Sequence, residues 1–142
     1  MSNLVYTNNH DVPRLLSKVT EWAQDRNIIK GSTAQVQFKK YLEESIELFA
    51  TLNPELTPFQ ITNEIGRMVD DLYRDGRIKK APKGKTIKDD IGDCMVVLNN
   101  LALMSDTTLE ECAAHAWNDI KDRKGFMNEH GVFIKEGDNE EA

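Results

Sequence analysis

Apolar residues recur along this chain at intervals of three and four, the period of helices that turn one face inward. Val12, Leu15, Leu16, Val19, Trp22 and Ala23 make the first run. Asp11 can cap it, Pro13 suits its first turn, and Gly31 closes it. A second run carries Val36, Leu42, Ile46 and Phe49, opens at Ser32 or Thr33 and stops before Pro54. Thr57, Pro58 and Gln60 spell a third start, a cap, a first-turn proline and a capping-box partner. Ile61, Ile65, Met68, Val69 and Leu72 follow, with Gly76 as the stop. Residues 77–85, with Pro82 and Gly84, read as a loop. Thr86 opens a fourth helix to about Met104, apolar around most of its circumference, as in a central bundle helix or half of a subunit interface. Thr108 and Glu111 form a capping box for a last long helix through Lys124. Beyond Gly125, the run Val132-Phe133-Ile134 after His130-Gly131 predicts a short strand or hairpin arm. The pattern predicts an all-α bundle of four or five helices with a short C-terminal β-hairpin arm. It is one domain over residues 1–142, with its core at about 11–125, the arm at 126–135 and an acidic tail at 136–142.

Composition narrows the class of function. The 142 residues suit a single domain, and 39% hydrophobic with 30% charged residues is ordinary for a globular protein. Twenty-four acidic residues against 18 basic ones leave a net charge of −6, which argues against a general nucleic-acid binder. Cys94 and Cys112 are too few for a disulfide framework and lie in apolar helical surroundings, so they read as buried, reduced thiols of a cytoplasmic protein. The polar N-terminus lacks the apolar stretch of a signal peptide. The longest apolar-rich segment, residues 94–104, is broken by Asn99 and Asn100 and is too short to span a bilayer.

The chemistry suggested by the sequence is in its carboxylates. On the second helix Glu43 and Glu47 are four apart and Glu44 and Glu47 three apart, spacings that place side chains side by side on one face. Leu42, Ile46 and Phe49 lie beside them, so part of that face turns inward. On the fourth helix Asp90 and Asp93 are three apart, among Ile91, Cys94, Val97 and Leu98. Gly92 between them leaves room for another group to approach closely. If the two helices face each other, up to five acids converge, and only bound cations make that tolerable. Oxygen donors without paired His or Cys select Mg²⁺, or Mn²⁺, over zinc.

Cationic groups accompany them. Arg74, Arg77, Lys79, Lys80, Lys83, Lys85 and Lys88 crowd the loop before the second acidic pair. A solvated loop accounts for most of these; Lys83 and Lys85, flanking Gly84, are the ones placed to close over an anion. On the last helix Asn118 and Lys121 share a face, where Asn can read a base edge and Lys or Arg can hold phosphate. The helix dipole alone also explains Lys121, Arg123 and Lys124. Trp22 and Trp117 read as core anchors.

With E-E-x-x-E at Glu43, Glu44 and Glu47, I-G-D at Ile91, Gly92 and Asp93, and the polar stretch Asn118 to Arg123, residues 33–125 resemble the all-α MazG-like nucleoside triphosphate pyrophosphohydrolases. These are relatives of the dimeric dUTPases and dCTP pyrophosphatases. The family's second motif is usually E-x-x-D, and here Asp90 stands at the glutamate. Residues 124–135 are similar to small MazG-like proteins carried by bacteriophages. The resemblance implies conversion of a (d)NTP to (d)NMP and pyrophosphate. It implies Mg²⁺ held by Glu43, Glu44, Glu47, Asp90 and Asp93, with water activated by the metal and one of the glutamates. Lys121 and Arg123 would offset phosphate charge and Asn118 would contact the nucleotide, in a homodimer or homotetramer. The competing reading is a non-catalytic helical interaction protein that kept the bundle while its site decayed, for which the departure at Asp90 speaks. Nucleic-acid binding through the basic loop is weaker still, because no aromatic residues interleave it.

Overall fold

The computed structural model describes residues 11–79 and 83–137 of the chain. The chain is all-α with a short antiparallel hairpin at its C-terminal end: α1 (Val12–Asp25), α2 (Ile28–Gly31), α3 (Ala34–Leu52), α4 (Pro58–Arg74), α5 (Ile87–Met104), α6 (Leu109–Ile120), β1 (Gly125–Met127) and β2 (Phe133–Lys135). Its helices form two compact units, residues up to Thr33 together with those from Lys88 onward, and Ala34–Ile87.

The second unit is the pair α3 and α4. The start of α4 follows the sequence signal in full. Thr57 Oγ1 accepts the N–H of Gln60 at 3.3 Å, and Gln60 Oε1 accepts the N–H of Thr57 at 2.9 Å. Its end is a Schellman turn. Gly76 takes a left-handed φ of 67°, its N–H donates to Tyr73 O, and the N–H of Arg77 donates to Leu72 O.

In the first unit α1 packs against α6, and the hairpin follows. Asp11 caps α1 by accepting the N–H of Arg14 at 3.1 Å. The first helix does not run unbroken to Gly31. It ends at Asp25, because Asn27 adopts the left-handed conformation (φ 57°) and α2 starts afresh from it. Asparagine tolerates that region better than any residue but glycine. Asp106 does the same after α5 (φ 59°), with the N–H of Thr107 donating to Ala102 O at 3.1 Å.

The last helix is also shorter than predicted and stops at Ile120 rather than Lys124. Trp22 of α1 and Arg26 just after it take carbonyls at and just past its end. Trp22 Nε1 donates to Ile120 O at 2.8 Å, and Arg26 Nε donates to Arg123 O at 2.8 Å. At its start only half the capping box forms. Thr108 Oγ1 accepts the N–H of Glu111 at 3.2 Å, but the Glu111 carboxylate takes the hydroxyl of Thr107 at 2.9 Å.

The hairpin pairs Gly125 with Lys135, Phe126 with Ile134 and Met127 with Phe133. Its turn is closed by Asn128, whose Oδ1 accepts the N–H groups of His130 and Val132, both at 2.9 Å. Gly131 is buried against the end of α2 at φ 76°, where a Cβ would lie 3.2 Å from Gly31 O. Phe133 meets the Trp22 ring at 6.0 Å between centroids.

Ala23 and Ala102 are the buried apolar side chains among the described residues. In its unit α5 leaves Ile91, Met95, Val96, Val97 and Met104 exposed, so it is not an enclosed central helix there. Cys94 and Cys112 are free, as expected, but exposed rather than buried. Cys94 lies on the same open stretch of α5 as Met95 and Val96. Trp22 and Trp117 are half-buried. Among the described residues no helix is long and apolar enough to cross a membrane.

Candidate functional site

Helix α3 carries Lys40, Glu43, Glu44 and Glu47 on exposed positions of its middle turns. The expected inward turn of this face is limited to neighbours such as Ile46 and Phe49, which are half-buried. The two adjacent glutamates share one cation. Lys40 Nζ lies 2.8 Å from Glu43 Oε1 and 2.9 Å from Glu44 Oε1. Burial lowers the Lys40 pKa, but its hydrogen bonds to Glu43 and Glu44 and their negative charge outweigh that and hold it above the ordinary lysine value. Lys40 was not singled out from the sequence, although the signal was there: a lysine three and four residues ahead of two glutamates, where helical geometry makes them neighbours.

Helix α5 carries the second acidic set in the other unit. Asp89 and Asp90 stand in its first turn, where the partial positive charge of a helix N-terminus favours carboxylates whatever else they do. Asp90 and Asp93 are exposed, and a Cβ built at Gly92 meets nothing within 4 Å. The close approach that glycine was expected to allow is not made by any described residue.

The cationic candidates are distributed as follows. Asn118 is exposed on α6 and Lys121 caps its end. Arg123 is half-buried just beyond, with its backbone carbonyl held by Arg26. Lys83 and Lys85 are exposed in the approach to α5; Lys80, of the same basic loop, lies outside the described residues. The sequence also did not reveal the grip of α1 on this end of α6. The guanidinium of Arg26 lies over the Trp22 ring at 4.6 Å, and the Lys18 ammonium stands 6.0 Å from the Trp117 ring.

Among the described residues no three carboxylate, imidazole or thiol groups are gathered as a metal-binding set. On α3 the space between Glu43 and Glu44 is taken by the Lys40 ammonium, and carboxylate oxygens are the donor type that hard divalent cations take. Glu43, Glu44 and Glu47 are the residues that would hold such an ion from this helix.

The chain is 33% identical over 103 residues to a Haemophilus phage HP1 protein described as the uncharacterized 18.2 kDa protein in the rep-hol intergenic region. The similarity covers 71% of this chain and 47% of the phage protein, so the chain spans about half the length of that curated relative. No protein-family description and no solved structure matches the chain.

Proposed function

We propose that the chain is a Mg²⁺-dependent nucleoside triphosphate pyrophosphohydrolase of the MazG-like type, converting a (d)NTP to (d)NMP and pyrophosphate. The observation that carries this reading is the side-by-side placement of Glu43 and Glu44, which share the Lys40 ammonium, one turn from Glu47 on the same helix. An all-α fold with a second short-spaced carboxylate pair, Asp90 and Asp93, on another helix supports it.

In this reading the carboxylates that would hold Mg²⁺ are those of Glu43, Glu44 and Glu47 on α3 and of Asp90 and Asp93 on α5. Bound there, the ion would polarise phosphate oxygens and lower the pKa of water. One of the glutamates takes the proton from the attacking water. The water oxygen joins phosphorus, and the bridge between the α- and β-phosphates breaks. Fixed positive charge stabilises the phosphate oxygens as their charge grows. Lys121 and Arg123, with Lys83 and Lys85 from the basic loop, offset the charge of the polyphosphate, and Asn118 contacts the nucleoside. The apolar side chains that α5 leaves exposed suit burial against a second copy, in a cytoplasmic homodimer or homotetramer.

Release of pyrophosphate from a panel of ribo- and deoxyribonucleoside triphosphates, with Mg²⁺ or EDTA, tests the proposal. Turnover that needs the metal and is lost in Glu47→Gln supports it. No turnover on any nucleotide, together with no thermal shift from Mg²⁺ plus a non-hydrolysable analogue, overturns it in favour of a non-catalytic interaction protein.

A further inference from the structure

We infer that the α3–α4 pair is one half of a four-helix bundle, and that the α3–α4 pair of a second copy of this chain is the other half. This deepens the self-association in the proposed function by giving it a surface other than α5, and it does not rest on the catalytic reading. Among the described residues of Ala34–Ile87 none is buried. Helices of 19 and 17 residues hold in water chiefly by packing an apolar face, and these two enclose no core of their own. The connection between them is short, so the pair is antiparallel and the start of α3 lies beside the end of α4. Near the connection Phe49 of α3 and Ile61 and Ile65 of α4 are half-buried. At the open end the same faces are uncovered.

On α3 the exposed stripe is Phe38, Tyr41, Leu42, Leu48 and Leu52. Ser45 is the polar residue on that side of the helix, and its hydroxyl donates to Tyr41 O at 2.8 Å. On α4 the stripe continues through Met68, Val69 and Leu72. Exposures of 37–64% on these eight residues leave on the order of 700 Å² of largely apolar surface per chain. A monomer rarely exposes a contiguous apolar patch above a few hundred Å², and a stable dimer buries about 800 Å² per partner. A second copy supplies what the pair lacks, two adjacent apolar stripes of the same length, related by a twofold axis. Charge permits the meeting. The whole chain carries −6, but Ala34–Ile87 holds nine Lys and Arg against eight Asp and Glu, so two such units approach almost without net repulsion. At about 100° per residue, Lys40, Glu43 and Glu47 fall on the side of α3 away from the stripe, so the contact leaves them in solvent.

Sedimentation of the full chain without nucleotide, with thermal unfolding read by circular dichroism, is the test. Wild type should sediment as two 16.2 kDa chains, and its midpoint should rise by several degrees from about 1 µM to about 100 µM, because mass action favours a folded dimer. Leu42→Ala should weaken association about tenfold. Leu72→Glu, which sets a charge on the stripe, should give monomers that have lost helix. Val97→Glu, on the exposed side of α5, should leave the dimer intact. A wild type that stays monomeric at about 100 µM, with a midpoint that ignores concentration, overturns the inference, since the stripes are then covered within one chain. Dissociation by Val97→Glu, with association unchanged in Leu42→Ala and Leu72→Glu, also overturns it and leaves burial of α5 against a second copy standing. So does a loss of stability in Leu42→Ala with no loss of association. Pyrophosphate release is measured apart from these, so the proposed activity can fail or hold whichever result is found.

Discussion

The end of α6 and the middle of α3 use polar and charged side chains in opposite ways. At α6, Trp22 and Arg26 reach across about a hundred residues of sequence to hold the carbonyls of Ile120 and Arg123, and both side chains are half-buried. On α3, Lys40 meets Glu43 and Glu44 within one turn of the same helix, and all three are exposed. The first arrangement adds side-chain donors to backbone acceptors at and just past a helix end, so its loss weakens a fixed, half-buried set of hydrogen bonds. The second is a set of solvated ion pairs that can rearrange at small cost. Groups that must exchange partners during a reaction belong to the second kind, and groups that must hold still belong to the first.

Substitutions test this contrast. Under the proposed function the largest effect falls on activity: Glu47→Gln should lower pyrophosphate release by about a hundredfold or more, since it would remove a charge acting on a bound metal and the reacting water, with the thermal midpoint little changed. A midpoint that fell in step with activity would make Glu47 a structural residue. Next comes Trp22→Ala, expected to destabilise by about 2 kcal/mol in chemical denaturation, below the range of a fully buried aromatic because Trp22 is half-buried. Trp22→Phe, which keeps most of the ring but leaves Ile120 O with the N–H of Arg123 alone, should cost about 0.5–1 kcal/mol. If Phe costs nothing, the hydrogen bond does not hold the end of α6. Thr57→Ala should cost about 1 kcal/mol through loss of the α4 cap, measured as helix lost in the circular dichroism melt. Smallest is Lys40→Met in EDTA, a few tenths of a kcal/mol. A cost comparable to that of Trp22→Ala would place Lys40 among the fixed groups and erase the distinction.

Where an element is decided by neighbours in sequence, the residues announced it. The Thr57–Gln60 box, the Asp11 cap, the stop at Gly76 and the hairpin around Gly131 are all local chemistry. Structure departs from the local pattern where a distant or competing group decides. The last helix could as well have continued to Lys124, and nothing near Ile120 says that Trp22 and Arg26 will claim its carbonyls. Asn27 stopped the first helix ahead of the glycine that seemed to end it. Cys94 looked buried because its neighbours are apolar, but periodicity tells which residues share a face and not whether anything covers that face. The acidic ladder of α3 is legible as spacing. So is its sharing of one ammonium, since Lys40 stands three and four residues ahead of the two glutamates.

The seat of Gly131 on the carbonyl of Gly31 joins two stretches of chain that leave the ribosome far apart in time. During synthesis α1 and α2 emerge early, and the whole of Ala34–Ile87 follows before α6 and the hairpin can reach them. Until then the indole of Trp22 waits for a carbonyl and an aromatic neighbour that have yet to be translated. A nascent chain halted before residue 120 would present that unfinished surface to chaperones and proteases, and bulky fusions would be tolerated least close to the hairpin turn.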